Sequence, residues 1–393
     1  QIFPWEKSGW VNLYSIPVAG GAEPKPLTPG EFEVEYVLLS RDRKSLYFNS
    51  NRGDPHRRHL FRVPVAGGEV TQLTSGNSIE WSPTELSDSK TLTFLRSDAK
   101  RPAEAALYLV TGGYESMDKS ALPESWPDEE LVEPEPISVT ATDGLTVPGQ
   151  LFVPKSQTVG KRPAVIFLHG GSRRQMLLGW NYSIYYHAAY ALNQYLASKG
   201  YVVLSLNYRS GIGYGLNFRE ALNYGATGAS EFYDVLGAGL YLKSRPDVDP
   251  GKIGLWGGSY GGYLTAHGLS RASDLFAAGV DIHGVHDWNP TIKGFIPSYD
   301  PARDERSKLA YASSPLNFVD GWRSPVLLIH GDDDRNVPFA ETTSLVEALR
   351  RRKVEFETLV FPDEVHSFLL HRNWTAAYKA TADFFERKLN RGR

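Results

Sequence analysis

LYSIPVAGG begins at Leu13, LFRVPVAGG at Leu60 and the shorter LYLVTGG at Leu107, a spacing of 47 residues twice over. Other pieces keep nearly the same period. SRDRKSLYFNS (40–50) is answered by SDSKTLTFLRS (87–97), and LTPG (27–30) by LTSG (73–76). Each unit holds short alternating runs of Val, Leu, Phe and Tyr, punctuated by Gly, Pro, Asp and Ser, which is the pattern of strands and turns. A period in the forties with several strands per unit reads as β-propeller blades. Closing a propeller takes about four to eight blades, and residues 1–125 hold only about two and a half. An open stack leaves strand edges and apolar faces in water. The expectation is therefore part of a larger propeller, with its N-terminal portion preceding Gln1. A second copy of the chain over the open edge, or a small independent β-domain, are the alternatives. The opening QIFPWEKSGW has no Met, no basic segment and no apolar run, which agrees with a start partway through a longer protein or after a removed leader.

Residues 114–136, YESMDKSALPESWPDEELVEPEP, are rich in Pro and acids and read as a linker. The expected domains are 1–125 and 126–393. Beyond the linker the rhythm changes. ISVTAT and LTVPGQLFV flank Asp143-Gly144, a favoured hairpin turn. Apolar runs then alternate with helical stretches: AVIFLHGG (164–171), a helix near 184–199, YVVLSLNYR (201–209), helices near 217–223 and 230–244, and KIGLWGGS (252–259). FAAGVDIHG (276–284), PVLLIHGDDD (325–334), a helix near 340–352, VEFETLVFP (354–362) and a helix near 374–389 complete the series. Such runs argue for an α/β domain with a doubly wound, mostly parallel sheet covered on both faces. Ligands in these sheets sit beyond the carboxyl ends of the strands.

Bulk composition narrows the partners. With 42 basic and 45 acidic residues the net charge is −3, which gives no electrostatic footprint for nucleic acid or an anionic membrane. The apolar runs are strand-sized, too short to span a bilayer. Cys is absent, which removes disulfides, thiol catalysis and cysteine metal sites. A soluble protein is expected, and lack of Cys suits cytoplasm or periplasm alike.

The polar residues at the strand ends carry the chemistry. GGSYGG (257–262) lies between a strand and a plausible helix, the setting of a nucleophile elbow around Ser259. Tyr260 offers a backbone N–H at a helix N-terminus, suited to an oxyanion. A second donor is expected from Gly170 or Gly171 in HGGS, after the strand AVIFL. A serine hydroxyl needs a base to take its proton, and that base needs an orienting carboxylate. Chain order supplies both: HGDDDRNVP follows one strand and FPDEVHSF the last, so His366 is the expected base. Asp332, Asp333 and Asp334 are all candidates for the acid by spacing, with Asp334 assigned; His371 more naturally flanks the final helix.

FLHGG, NYRSGIGYG, WGGSYGGY, HGDDDRNVP and FPDEVHSF, together with the preceding blade repeats, resemble the prolyl oligopeptidase family of serine peptidases. The likeness is greatest to its dipeptidyl aminopeptidase and acylaminoacyl peptidase branches and covers essentially all of 137–393. It implies an α/β-hydrolase fold and the catalytic set Ser259, Asp334 and His366. It implies an oxyanion hole from Tyr260 with Gly171, where some members use a Tyr side chain and this chain has His169. It further implies an apolar, aromatic pocket from Tyr260, Val285, Trp288 and Val337, with Asn336 contacting the substrate backbone. Such a pocket favours proline or a small hydrophobic residue. HGG lacks the Pro that commonly follows it, and 178–190 are unusually aromatic. In the dipeptidyl branch, the acids that hold a substrate's free amine come from the propeller, much of which these residues do not include, so the choice between exo- and endopeptidase stays open.

The expected function is a serine peptidase acting on short peptides through an acyl-enzyme. A carboxylesterase with the same machinery and a catalytically idle scaffold are the alternatives. No cofactor or metal is required. Short peptides are the expected partners, together with a homo-oligomer or the missing propeller segment. His283, His286 and Asp287 in HGVHDW are read as bracing a pocket loop and not as a metal site. RGD (52–54) is read as a blade turn, and RRRK (350–353) as a favourable helix end.

Overall fold

The computed structural model describes residues 1–88, 90–109, 113–117, 122–156 and 160–390. Three residues of the third repeat copy, 110–112, and four of the linker, 118–121, lie outside the described residues. The chain divides into two compact units: 1–134 with 177–191 and 212–219, and 135–176 with 192–211 and 220–393.

The first unit is three antiparallel sheets. β1 (Ile2–Trp5), β2 (Asn12–Ser15) and β3 (Lys25–Pro26) form the first. β4 (Val34–Leu39), β5 (Ser45–Ser50), β6 (His59–Pro64) and β7 (Thr71–Gln72) form the second. β8 (Ile79–Glu85), β9 (Thr91–Ser97), β10 (Glu104–Leu109) and β11 (Gly113–Ser116) form the third. The repeat has a physical reason. Thr28 Oγ1 accepts the Leu13 N–H at 2.8 Å, and Thr74 Oγ1 accepts that of Leu60 at 2.9 Å, so each LT pair pins the strand that opens its repeat. Asp42 and Asp88 each accept the N–H two residues on, at 2.9 Å, and so shape equivalent hairpin turns. The outer strands bulge in the same place, with left-handed Tyr36 (φ 46) and Ser82 (φ 54). Leu13, Leu27, Phe32, Phe48 and Phe61 fill the layer between the first two sheets, and Leu60, Phe94 and Ala106 form the next cluster. Sheets stacked in series this way are part of a propeller.

Residues 177–191 pack on this unit. Leu177 joins Ile79 and Trp81 in a small core, and the Trp180 carbonyl accepts Ser97 Oγ at 2.7 Å. The sequence places them between β14 and β15 of the sheet described next, and only their aromatic content sets them apart.

The second unit is built on one eight-stranded sheet. Its strands are β12 (Glu135–Thr140), β13 (Thr146–Phe152), β14 (Arg162–Leu168), β15 (Val202–Leu206), β16 (Val248–Gly258), β17 (Ala278–Ile282), β18 (Val326–Gly331) and β19 (Phe356–Phe361). Their spatial order is β12-β13-β15-β14-β16-β17-β18-β19, antiparallel through β12, β13 and β15 and parallel from there on. Among the described residues the α-helices are α1 (Ile184–Ser198), α2 (Leu216–Arg219), α3 (Glu231–Ser244), α4 (Tyr260–Arg271), α5 (Trp288–Phe295), α6 (Arg306–Ala312), α7 (Ala340–Arg352) and α8 (His371–Phe385). None among the described residues is long and apolar enough to cross a membrane. β15 and β17 are buried along their whole length, which is why their sequences run apolar without alternation. This is the α/β-hydrolase core.

Two helix expectations shift. The helix expected near 217–223 is a single turn, because Asn223 (φ 61) and Gly225 (φ 56) turn the chain left-handed. The last helix begins three residues early, at His371, and continues into a wider turn over Glu386–Asn390. Arg209, in NYRS after β15, grips Asp234 on α3 at 2.6 Å and Asp143 in the hairpin turn at 2.6 Å, tying that turn to the sheet.

Helix α4 meets the sheet through glycines. A Cβ at Gly261 would stand 1.9 Å from the Leu168 carbonyl oxygen, and one at Gly257 would stand 2.5 Å from the same atom. At Gly262 it would lie 2.3 Å from Asp281 Oδ1. No rotamer relieves a clash with backbone, so Gly261→Ala is expected to lower stability by about 3–5 kcal/mol; a urea midpoint within error of the parent would refute this packing. A second expectation concerns pH. Burial holds the His267 imidazole down to about 3 and that of His169 down to about 4, while the unfolded chain takes these protons near 6.5. Their contribution is complete above about pH 6.5 and is lost as pH falls toward the folded values, by about 1.4 kcal/mol per pH unit for each imidazole. Urea midpoints between pH 7 and 5 check this, and His267→Gln should flatten the slope.

Candidate active site

The turn from β16 into α4 holds Ser259 at φ 58, ψ −119, a conformation that non-glycine residues rarely adopt. Two bonds keep it there: the Ser259 N–H donates to the Ile282 carbonyl at 2.9 Å, and its own carbonyl accepts the Tyr263 N–H at 3.0 Å. The hydroxyl lies 2.9 Å from His366 Nε2. On the far side of the ring, Nδ1 lies 2.6 Å from Asp334 Oδ2. A carboxylate can only accept here, so Nδ1 carries the proton and Nε2 is left to accept from the serine hydroxyl.

Asp334 is buried and fully engaged. Oδ1 accepts the N–H groups of Asn336 (2.8 Å) and Val337 (2.9 Å). Oδ2 accepts His330 Nε2 (3.1 Å) as well as His366. Burial alone would raise its pKa; the bonds from His330, His366 and the backbone outweigh that and hold the carboxyl well below its ordinary range. It is charged at neutral pH. His330 is a residue that the motif reading passed over. It is buried at the end of β18, with Nδ1 2.8 Å from Thr342 Oγ1, and it orients the acid.

The neighbouring acids have other work. Asp332 Oδ1 accepts the Asp363 N–H at 2.7 Å, and the Asp333 N–H donates to the Glu364 carbonyl at 3.1 Å. Both hold the loop that carries His366. Glu364 pins the far end of that loop, accepting the N–H groups of Leu369 (2.6 Å) and Leu370 (3.1 Å). His371 opens α8, as its position implied.

Gly170 and Gly171 follow β14, whose last carbonyl touches Gly261, so their loop leaves the sheet beside the N-terminus of α4. His169 is buried, its ring stacked 4.1 Å from that of Tyr208, with Nδ1 2.9 Å from the Gly170 carbonyl. Burial keeps this imidazole neutral to about 4.

Of the expected pocket residues, Tyr260, Val285 and Val337 all belong to the large buried core of the second unit, and Trp288 packs against that core. The ring centroids of Tyr260 and Trp288 are 5.8 Å apart, and those of Tyr263 and Trp288 5.1 Å. Asn336 presents an exposed side chain next to them while its N–H serves Asp334. The two histidines of HGVHDW separate. His286 Nε2 lies 2.7 Å from Asp281, and its N–H donates to Glu341 at 2.8 Å, bracing the loop. Burial opposes the charge on His286, but Asp281 and Glu341 raise its pKa. His283 instead lays its ring 4.3 Å from that of His366, and one donor atom each of His283, Asp334 and His366 lies within 4.8 Å of the others. Sequence held no signal for that contact, since it depends on a left-handed His283 (φ 44) at the end of β17.

Known proteins resemble this chain in sequence and in fold. The profile of the dipeptidyl peptidase IV N-terminal region matches residues 1–101, and that of the prolyl oligopeptidase family matches 188–392. Dipeptidyl aminopeptidase BIII of Pseudoxanthomonas mexicana is 30% identical, over 88% of this chain and 58% of that protein. Human dipeptidyl peptidase 8 is 30% identical over 87% of this chain and 39% of that protein. The chain thus spans about half the length of the curated relatives it matches. Among solved structures, a puromycin-hydrolyzing peptidase of Mycobacterium tuberculosis superposes with a TM-score of 0.83 at 22% identity, covering 100% of this chain and 62% of that one. Pyrococcus horikoshii acylaminoacyl peptidase gives 0.78 at 24%, covering 98% and 60%. With the family profile covering more than half of its residues, this chain belongs to the prolyl oligopeptidase family.

Proposed function

We propose that the second unit is the catalytic domain of a serine peptidase that cleaves short peptides through an acyl-enzyme. The observation that carries the reading is the unbroken line from Asp334 to His366 to Ser259, at 2.6 and 2.9 Å. In this reading Ser259 Oγ attacks the scissile carbonyl carbon as its proton passes to His366 Nε2. Asp334 holds the ring and stabilises the imidazolium that forms. The negative oxygen is met by the Tyr260 N–H and by that of Gly171, with Gly170 as the neighbouring alternative. The imidazolium gives its proton to the leaving amine, the C–N bond breaks, and an ester to Ser259 remains. Water, activated by the same base, releases the acid and restores the serine.

The ring contact of Tyr260 with Trp288, with Val285 and Val337 in the same apolar core, supports a preference for proline or a small hydrophobic residue before the cut, since a flat ring gains both burial and stacking there. Asn336, exposed at its rim, is suited to bind the substrate backbone.

Asp334→Asn should lower kcat by about 10³–10⁴-fold with little change in KM, because the imidazole loses its oriented tautomer. A fluorophosphonate probe should label the parent and not Ser259→Ala; an unlabelled parent would revive an idle scaffold. Turnover of a prolyl or alanyl anilide, set beside that of a short acyl ester, separates peptidase from carboxylesterase. Ester turnover greater by orders of magnitude, with no anilide cleavage, would reject the peptidase.

A further inference from the structure

The proposed chemistry leaves a buried acid unused. Glu231 opens α3 and is fully enclosed, and its partners are a phenol, a serine hydroxyl and backbone N–H groups. Its Oε1 accepts Tyr260 Oη at 2.5 Å and Ser210 Oγ at 2.9 Å, and its Oε2 accepts the Gly225 N–H at 3.1 Å. One carboxylate therefore gathers three separate segments. They are the loop after β15, where Ser210 is left-handed (φ 69), the loop before α3, where Gly225 is left-handed (φ 56), and the first residue of α4.

These segments close around the Tyr260 ring. A Cβ at Gly225 would stand 2.8 Å from Tyr260 Oη and 3.8 Å from Trp288 Cζ2, so the loop, the phenol and the indole share one contact. Tyr208 lies parallel to Tyr260, with centroids 6.1 Å apart. Burial, with Glu231 beside it, pushes the Tyr260 phenol well up, so the hydroxyl keeps its proton and donates it. Burial likewise raises Glu231, against the bonds it accepts. The ring is thus held at its tip by a hydrogen bond and on its faces by other rings.

Resting on the peptidase reading, we propose that Glu231 is a positioning residue that sets specificity. By fixing the Tyr260 hydroxyl it fixes the aromatic wall against which the residue before the scissile bond must fit. Glutamine has nearly the same shape but offers N–H donors at one end. Glutamine carries no charge, so whichever way its amide turns, the charge-assisted bond that the carboxylate accepts from the Tyr260 hydroxyl is lost or reversed.

The test compares the parent with Glu231→Gln, Tyr260→Phe and the double variant. Acyl-prolyl and acyl-phenylalanyl anilides report the pocket, and the rate of fluorophosphonate labelling reports Ser259 directly. The expected result is a proline-over-phenylalanine ratio of kcat/KM lowered at least about tenfold in each single variant, mostly through KM. Labelling of Glu231→Gln should fall by no more than about threefold, and the double variant should be no worse than the poorer single one. A merely structural loss would lower labelling and both substrates together. An unchanged ratio in labelled Glu231→Gln or Tyr260→Phe, or additive losses in the double variant, would overturn the proposal. If Glu231→Gln does not fold, Tyr260→Phe decides, since it removes the same bond and keeps the ring. If the labelled parent cleaves no anilide, the peptidase reading has failed, and the ratio is read instead on the matching acyl-prolyl and acyl-phenylalanyl esters.

Discussion

A serine with a left-handed backbone, wedged between a strand and a helix, is the constraint around which the second unit is built. Holding φ at 58 costs on the order of 1–3 kcal/mol, and the surrounding contacts must over-determine it. They do so through atoms that are absent. Gly257, Gly261 and Gly262 let α4 approach the ends of β14 and β17 more closely than any side chain permits. The same approach sets the helix N-terminus, with its unsatisfied N–H groups, beside the loop that leaves β14.

Electrostatics then favour one arrangement of the remaining groups. A buried carboxylate is costly unless its lone pairs are met, and Asp334 meets them with two backbone N–H groups and two imidazoles. Those bonds favour its ionised form, and an ionised acid in turn selects the His366 tautomer. Glu231 follows a different solution to the same problem, with hydroxyls as its principal donors.

Much of this was legible in the residues. The blade repeat was readable because its first two copies need the same threonine and the same turn aspartate. The parallel sheet was readable because strands buried on both faces lose their alternation. Ser259 and His366 stood out by chain order at strand ends. Other features had no linear signature. Three consecutive acids look alike in sequence, and only the path of the loops makes Asp334 the one that faces His366. Glu231 and Asp234 look like acids placed in a first helical turn to suit the dipole, a position where solvent exposure is ordinary. Most of their partners, Ser210 and Tyr260 for Glu231 and Arg209 for Asp234, lie more than twenty residues away in the chain. That 177–191 join the first unit was equally silent, because an apolar stretch does not announce which core it will enter.

The stitching between the loops after β18 and β19 has a consequence of its own. Asp332, Asp333 and Glu364 bind those two loops to each other through main-chain groups and short side chains, none of which involves residue 259. The acid and the imidazole are consequently held to each other by loops whose mutual bonds do not pass through the turn that carries residue 259. The bonds that align the imidazole with its carboxylate are thus separate from the one that joins it to the serine hydroxyl.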